Sequence, residues 1–223
     1  MDDIPNILWT DECIFTREGI FNTKNEHHYA EDNPFLHRET HFQRRFKLNI
    51  WAGMIDDVII GPYLLPDRMT GARYLTFLQE ELPHLLEDLP LERRRRLIFM
   101  HDGCPIHRTG DVVRHLNQTY RKNWIGYKLR EGNHRRWPPR SPDMTPLDFF
   151  LWGHLKTLVY KDPLPDNEQE AELELIARIH AAIATITPEM VRNATGNVVT
   201  RARKCLQARG GHFQARMKVQ DLI

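Results

Sequence analysis

The sequence predicts a mixed α/β fold, with strands concentrated before residue 66 and helices dominating after residue 144. Stretches rich in β-branched and aromatic residues fill the first part of the chain. Apolar residues at spacings of three and four mark the helices that follow. A short apolar run, Leu97–Asp102, predicts one buried strand in the mixed stretch between them. This order of elements is typical of an α+β or a three-layer α/β domain.

The strand-rich part predicts an antiparallel meander. Asp56 and Asp57 form a turn between two of its strands, because short polar residues favour turn conformations. In chain order, the predicted segments are Ile7–Phe15, a second strand entered through a turn at Gly19–Asn22, then Phe46–Ile55 and Val58–Leu65.

Helical periodicity starts at Thr70 and runs through Leu86, with Pro83 as a predicted kink. Residues 121–144 are rich in Arg, Pro and Gly and predict a long loop, which is usually functional or disordered. Thr145 as N-cap and Pro146 at the first position predict the start of a further helix, which runs through Leu158. The other predicted helices are Asp111–Tyr120, Asn167–Ile186 and Pro188–Gln207.

Composition describes an ordinary globular protein. The chain has 223 residues, of which 41% are hydrophobic and 27% charged, and a chain of this length needs no disulfide or metal for stability. No apolar run approaches the roughly 18 residues that span a bilayer, and the acidic start does not resemble a signal peptide. Three widely spaced cysteines fit a reducing compartment, the cytosol or the nucleus.

Charge is nearly balanced overall but unevenly distributed. The formal net charge of +1 argues against a chain that coats nucleic acid through charge alone. Residues 1–90 hold 8 Lys+Arg and 16 Asp+Glu, whereas residues 91–223 hold 23 and 14. The second half can therefore form a basic face, although two solvated surfaces of opposite sign explain the same counts equally well.

Three aspartates stand where backbone elements begin or end. Asp11 lies in the first strand, Asp102 ends the buried strand, and Asp148 lies in the first turn of a helix. Acids at strand ends can converge on one crevice of an open sheet. Three carboxylates without a His/Cys ligand set favour a hard cation, Mg²⁺ or Mn²⁺.

Each acid also has a purely structural explanation. Asp11 is followed by Glu12, and only one of two neighbours on a strand can point into a site. Asp102 precedes Gly103 and fits a turn. Asp148 and Thr145 fit one half of a capping box. Spacing alone therefore leaves the metal site as one hypothesis among several.

Longer motifs resemble the catalytic domain of mariner-type transposases. Trp9-Thr10-Asp11-Glu12 resembles the opening of that domain, and residues 101–107, His-Asp-Gly-Cys-Pro-Ile-His, resemble the segment of its second acid. Residues 137–153, Trp-Pro-Pro-Arg-Ser-Pro-Asp-Met-Thr-Pro-Leu-Asp-Phe-Phe-Leu-Trp-Gly, resemble its third-acid segment closely. The three matches occur in the family's order and cover roughly residues 7–160.

The resemblance implies a ribonuclease-H-like fold, a mixed sheet flanked by helices, with Asp11, Asp102 and Asp148 as catalytic metal ligands. It implies Mg²⁺- or Mn²⁺-dependent phosphodiester chemistry on transposon ends and target DNA. A homodimer and a nuclear location are expected, and no membrane association. We expect a catalytic domain at residues 1–162 and a helical extension packing on it at 163–223. Asp143 is then a loop residue, and Glu12 faces away from the metals.

The sequence departs from the family in three ways. The 45 residues between Asp102 and Asp148 exceed the usual mariner spacing, and the excess falls in the predicted loop. His101 and Cys104 stand where the family more often has Gln and Ala. Ten residues before Asp11 leave no room for the family's paired helix-turn-helix modules, so we expect a catalytic-domain fragment or a truncated element copy.

Several further residues are candidates for the site or for DNA binding. His107 matches a family histidine and is expected either near the metals or as a hydrogen-bonding residue at a helix entry. Trp137 fits base stacking or, better, packing on the core. Zinc binding by His101, Cys104 and His107 lacks a fourth ligand. Basic residues of the predicted loop fit phosphate contacts; the DNA-binding candidates are Arg130, Arg135, Arg136, Trp137 and Arg140.

Two other functions compete with transposition. An inactive or domesticated copy would serve in DNA binding or assembly, and metal-dependent nicking would exclude it. Another ribonuclease-H-like nuclease would cut RNA in hybrids, which a comparison of hybrid and duplex cleavage would reveal. The long third-acid segment favours the transposase.

Overall fold

A mixed six-stranded sheet forms the centre of the molecule. The computed structural model describes residues 3–17, 19, 46–127, 135–138 and 141–208. In this part of the chain the strands lie in the order β3-β2-β1-β4-β5-β6. They are, from β1 to β6, Ile7–Thr16, Lys47–Ile55, Val58–Leu65, Ile98–Met100, Trp124–Gly126 and Arg135–Arg136.

The sheet combines an antiparallel meander with parallel strands. β1 pairs antiparallel with β2, and β2 with β3. β4 lies parallel to β1 on its other side, and β5 and β6 continue in parallel. Because Trp9 of β1 is paired with Met100 of β4, the chain beyond these two residues continues toward the same edge of the sheet. That edge is where the acids of both strands are expected.

Helices cover both faces of the sheet. The first four, α1 to α4, are Gly71–Thr76, Leu82–Leu85, Leu91–Arg96 and Gly110–Thr119, and the last three, α5 to α7, are Trp152–Val159, Glu168–Ala184 and Pro188–Gln207. Side chains of α5, α6 and α7 pack into one buried cluster with alternate residues of β1 and β4. Side chains of α1, α2 and α4 form a second cluster on the other face. The predicted three-layer α/β architecture is confirmed.

The alternation of side chains along β1 assigns each of its residues to a face. Trp9 and Phe15 are buried in the cluster of α5, α6 and α7, whereas Leu8 belongs to the opposite cluster. The same alternation puts Asp11 on the side of Trp9 and Glu12 on the side of Leu8. The two acids therefore face opposite layers, as expected from their adjacency.

The predicted loop over residues 121–144 is partly wrong. Trp124–Gly126 forms β5, and Arg135–Arg136 pairs with it as β6. Three residues are too few to show the alternation of a strand in the sequence. In the structure, Trp124 and Ile125 of this strand are buried. The predicted turn at Gly19–Asn22 lies outside the described residues except for Gly19, which has a positive φ of 67°.

The predicted kink at Pro83 takes another form. A π-helical turn, Phe77–Glu81, connects α1 to α2, and Pro83 lies in the first turn of α2. Proline has no N–H to donate within a helix, and its ring would clash with the preceding turn. The wider π-helical turn makes room for the ring. The helices predicted at Asn167–Ile186 and Pro188–Gln207 are confirmed, with Asn167 and Thr187 accepting the capping hydrogen bonds.

The described helices include no candidate for a membrane-spanning segment. In the described part of the chain, none of them combines the length and the apolarity that crossing a bilayer requires.

Candidate active site

One cleft brings the three predicted acids together. It has a volume of about 910 Å³ and lies at the edge of the sheet where β1 and β4 lead. Asp11, Asp102 and Asp148 all line it, and so does Glu12. Three different elements thus place an acid at the lining of a single cleft.

Asp11 is held by a tryptophan from the helical layer. Its Oδ2 accepts a hydrogen bond from Trp152 Nε1 at 2.8 Å. Trp152 is buried and also packs edge-on against Phe15, with ring centroids 6.4 Å apart. The structure shows that it also fixes the orientation of the Asp11 carboxylate.

Asp102 follows β4 directly and is held by its own loop. Its Oδ1 accepts a hydrogen bond from the Cys104 N–H at 2.9 Å and contacts His107 Nδ1 at 2.7 Å. Among the described residues, nothing bonds to Oδ2. One oxygen of Asp102 is therefore positioned by the protein, and the other remains available to a ligand in the cleft.

His107 connects Asp102 to Glu12. The imidazole is only 2% exposed, and its Nε2 lies 3.4 Å from Glu12 Oε1 without the geometry of a hydrogen bond. His107 also lies against Tyr74, with ring centroids 4.2 Å apart. Glu12, on the opposite face of β1 from Asp11, also lines the cleft and forms the far end of a Glu12–His107–Asp102 chain, which the sequence did not predict.

Asp148 comes from the start of the third-acid helix. It lies in a π-helical turn, Leu147–Leu151, that precedes α5, and the side chains of Leu147 and Leu151 are fully buried. These two leucines anchor the turn on the sheet and leave Asp148 exposed at the cleft. A π-helical turn at this position is typical of a functional site. Asp143 lies in the preceding 3₁₀ turn, Pro142–Met144, as a loop residue.

The carboxylates perturb one another. Burial and the charge of Asp148 raise the pKa of Asp11 to about 8, against the opposing Trp152 hydrogen bond. Partial desolvation by the walls of the cleft, together with the charges of Asp102 and Asp143, raises the pKa of Asp148 to about 6. For Asp102, burial is outweighed by the His107 hydrogen bond and charge, so its pKa is lowered. Such a cluster of mutually repelling acids favours protons or a cation.

His107 has the complementary perturbation. Its burial would lower its pKa, but the Glu12 and Asp102 carboxylates raise that pKa to about 10. The protonated imidazolium therefore lies between two acids. It neutralises part of the negative charge on the Glu12 face of β1, while Asp11 and Asp148 receive no such partner from it.

The donor set suits a hard divalent cation. All three acids supply oxygen ligands, which Mg²⁺ and Mn²⁺ prefer. Across the described ranges, however, no three His, Cys, Asp or Glu side chains form a ready-made metal-binding group. A cation would therefore have to draw the three carboxylates together.

The DNA-binding candidates have varied surroundings. Trp137 packs edge-on against Trp9, with ring centroids 5.7 Å apart, and it also lines the cleft. Arg135 and Arg136 are exposed, and Arg135 forms an ion pair with Asp3 at 2.7 Å. Arg130 and Arg140 lie outside the described residues.

Two further sets of arginines have partners within the protein. Arg201 is only 1% exposed; its guanidinium lies 4.0 Å from the Phe149 ring centroid and donates to the Asp143 carbonyl. It therefore braces the loop and helix that carry Asp148. The four arginines before β4 belong to α3, where Arg93 pairs with Asp56 and Asp57.

Comparison with known proteins supports the fold. No family model and no curated protein matches the chain. Among solved structures, the Mos1 transposase catalytic domain with raltegravir and Mg is similar over 95% of this chain and 87% of that chain, with 19% identity and a TM-score of 0.63. A pre-cleavage Mos1 transpososome matches 95% of this chain and 58% of that one, with 20% identity and a TM-score of 0.65.

The Mos1 strand transfer complex is also similar, over 96% of this chain and 57% of that one, with 19% identity and a TM-score of 0.65. These structures confirm the predicted ribonuclease-H-like fold, in the form found in the catalytic domain of a mariner transposase. They agree with the resemblance seen in the motifs. Because a shared fold hosts many activities, function has to be argued from the cleft.

Proposed function

We propose that the chain cleaves and joins DNA strands as a mariner-like transposase does. The observation that carries the proposal is the single cleft that collects Asp11, Asp102 and Asp148 from three elements of this fold. Mos1 structures of the same fold include a pre-cleavage transpososome and a strand transfer complex. In the first reaction water would attack a phosphodiester at the transposon end, and in the second the freed 3′-hydroxyl would attack target DNA.

Each acid would contribute differently to the site. Asp11, oriented by Trp152, and Asp148, at the helix start, carry the carboxylates whose charge is least compensated by the protein. Asp102 would offer its Oδ2, because Oδ1 is occupied by His107 and Cys104. Glu12 would act indirectly, by holding His107 against Asp102.

Mg²⁺ or Mn²⁺ is the cofactor that this donor set would hold. Bound divalent ions would supply activation of the attacking oxygen and charge stabilisation at the leaving oxygen. The chain's own contribution is to orient Asp11 through the buried Trp152 and Asp102 through the buried His107, and to hold the turn of Asp148 on the core through Leu147 and Leu151. Structures of the Mos1 catalytic domain with Mg and with Mn are similar to this one, which supports the choice of ion.

The partners follow from the same reasoning. DNA, as transposon end and as target, is the substrate in this proposal, and a homodimer would hold two ends together, as the Mos1 paired-end complexes suggest. The chain spans little more than half of the Mos1 chain in those complexes. We propose that the residues of this chain bind DNA weakly and without sequence preference, through contacts to its phosphates, and that the protein acts in the nucleus.

Plasmid nicking tests the proposal. Supercoiled plasmid is incubated with the full chain and Mg²⁺, Mn²⁺ or EDTA, and Asp102→Asn is compared with wild type. Asp111→Asn is the matched control, since Asp111 is an exposed acid on α4 outside the cleft. We expect nicking by wild type and the control that needs the metal and is absent in Asp102→Asn.

The competing functions give different outcomes. No nicking by a folded wild type would indicate an inactive copy that retains the fold. Cleavage of an RNA–DNA hybrid with no cleavage of duplex DNA would indicate a ribonuclease. Equal nicking by wild type and Asp102→Asn would refute the role of the cleft, whatever the substrate.

A further inference from the structure

The cleft contains one cation among the described residues that line it. Four acids, Asp11, Glu12, Asp102 and Asp148, border the same space as Arg108. A nucleic-acid strand is itself polyanionic, so it is repelled by the acids wherever no cation intervenes. A positive group inside the cleft is therefore needed to hold the backbone of the strand beside them.

The aromatic ring of Tyr127 orients Arg108. Arg108 ends the 3₁₀ turn Pro105–Arg108 that follows Asp102, and Tyr127 follows β5. The Arg108 guanidinium lies 4.6 Å from the centre of the Tyr127 ring. Stacking of this kind holds the guanidinium by its face and leaves its N–H groups at the edge free to bind.

Tyr127 is itself fixed close to the acids. It packs on Gly103, the residue after Asp102, so closely that a Cβ at Gly103 would come within 3.0 Å of the ring. A Cβ at this distance would be tighter than most real contacts, so the Tyr127 ring would have to move by a few tenths of an ångström. The ring therefore couples the position of Arg108 to the loop that carries the second acid. The sequence alone singled out neither Arg108 nor Tyr127, because they are separated by 18 residues and belong to no shared motif.

We propose that Arg108 binds a backbone phosphate of the substrate strand and that Tyr127 is its positioning residue. The proposal rests on the proposed function, which supplies a nucleic-acid substrate. An arginine edge matches two oxygens of a phosphate and contributes no sequence preference. Arg108 would thus fix the strand next to the carboxylates, while Trp137 and Pro138 form the apolar part of the same cleft.

Salt-dependent binding separates this role from a structural one. A fluorescein-labelled duplex and a labelled single strand are titrated with the full chain by anisotropy, in EDTA, at several salt concentrations. A group that contacts one phosphate adds about 0.9 to the slope of log affinity against log salt on duplex DNA. We expect Arg108→Ala to weaken binding about tenfold and to reduce this slope by about one.

Matched variants identify the phosphate contact. Arg108→Lys keeps the charge, so we expect it to keep the slope and lose part of the affinity. Tyr127→Ala should weaken binding a few-fold with an unchanged slope, and Tyr127→Phe should bind as wild type. Arg114→Ala, at an exposed arginine on α4 paired with Asp111, should change neither quantity. Circular dichroism confirms that each variant is folded.

Every outcome decides the proposal. If Arg108→Ala keeps the wild-type slope and affinity, or if Arg114→Ala weakens binding equally, the phosphate role is refuted although DNA binding stands. If wild type binds neither duplex nor single strand in EDTA, this proposal fails, whereas the proposed function is decided by the nicking assay with metal. If binding depends on Arg108 but the metal-dependent nicking is absent, only the cleavage reaction is refuted.

Discussion

The raised pKa of Asp11 predicts that replacing this acid stabilises the metal-free protein. With a pKa raised to about 8, Asp11 is protonated in the folded chain at neutral pH, whereas in the unfolded chain it is ionised above about pH 4. Folding therefore takes up a proton. Stability from this group is fully present below the unfolded pKa and is lost as pH rises toward 8.

The size of the effect follows from the same shift. Each pKa unit corresponds to about 1.4 kcal/mol, so the full change between acidic and alkaline pH is at most about 6 kcal/mol. Asp11 is only partly buried, and screening by water at the cleft reduces this limit. We expect Asp11→Asn to raise the free energy of unfolding by about 2–3 kcal/mol at pH 7 in EDTA. Asparagine is neutral in both states and can still accept from Trp152 Nε1.

Urea unfolding at pH 5, 6, 7 and 8 in EDTA measures this difference. The gain of Asp11→Asn over wild type should grow steadily with pH. Asp57→Asn should show the opposite dependence of stability on pH. The Arg93 hydrogen bond lowers the pKa of Asp57 despite its burial. Its contribution to stability is present above the unfolded pKa and is lost in acid. A gain for Asp11→Asn that is independent of pH, or a loss at pH 7, would refute the reasoning.

Three further substitutions test the supports of the site. Trp152→Phe keeps the packing but removes the donor to Asp11. We expect the free energy of unfolding, measured with urea at pH 9, to fall by about 1–2 kcal/mol. An unchanged value would mean that the hydrogen bond is unimportant. His107→Gln leaves two acids without the cation between them. It should lower the free energy of unfolding at pH 7 by about 2–3 kcal/mol, measured in the same way. Unchanged stability would contradict a charged His107. Arg201→Met should lower stability by about 1–3 kcal/mol and shift the tryptophan emission of the Asp148 helix, whereas an unaltered spectrum would argue against its bracing role.

The sequence predicted the elements whose pattern is long and local. The alternation in β1 and the apolar run Val58–Leu65 define their strands without reference to the rest of the chain. The acids at Asp11, Asp102 and Asp148 were found through extended motifs, and the structure brings them to one cleft. Their role as metal ligands stays a prediction.

The parts that the sequence did not predict depend on contacts between distant residues. β5 is three residues long and is defined by its partner β4 rather than by its own pattern. The Glu12–His107 pair joins positions 95 apart in the chain, and Arg201 is buried against a loop 58 residues away. The pairing of these charged side chains is not visible in the sequence, because the buried partners that accept them arise only in the folded chain.

The most direct test of the central claim is to locate the metal. Crystals of the full chain grown with millimolar Mn²⁺ would be examined for anomalous scattering from the ion. The account predicts ions in the cleft, in contact with Asp11, Asp102 and Asp148, with the free Oδ2 of Asp102 among the ligands. A folded chain that shows no ion in the cleft, or one bound by other residues while these three stay apart, would contradict it.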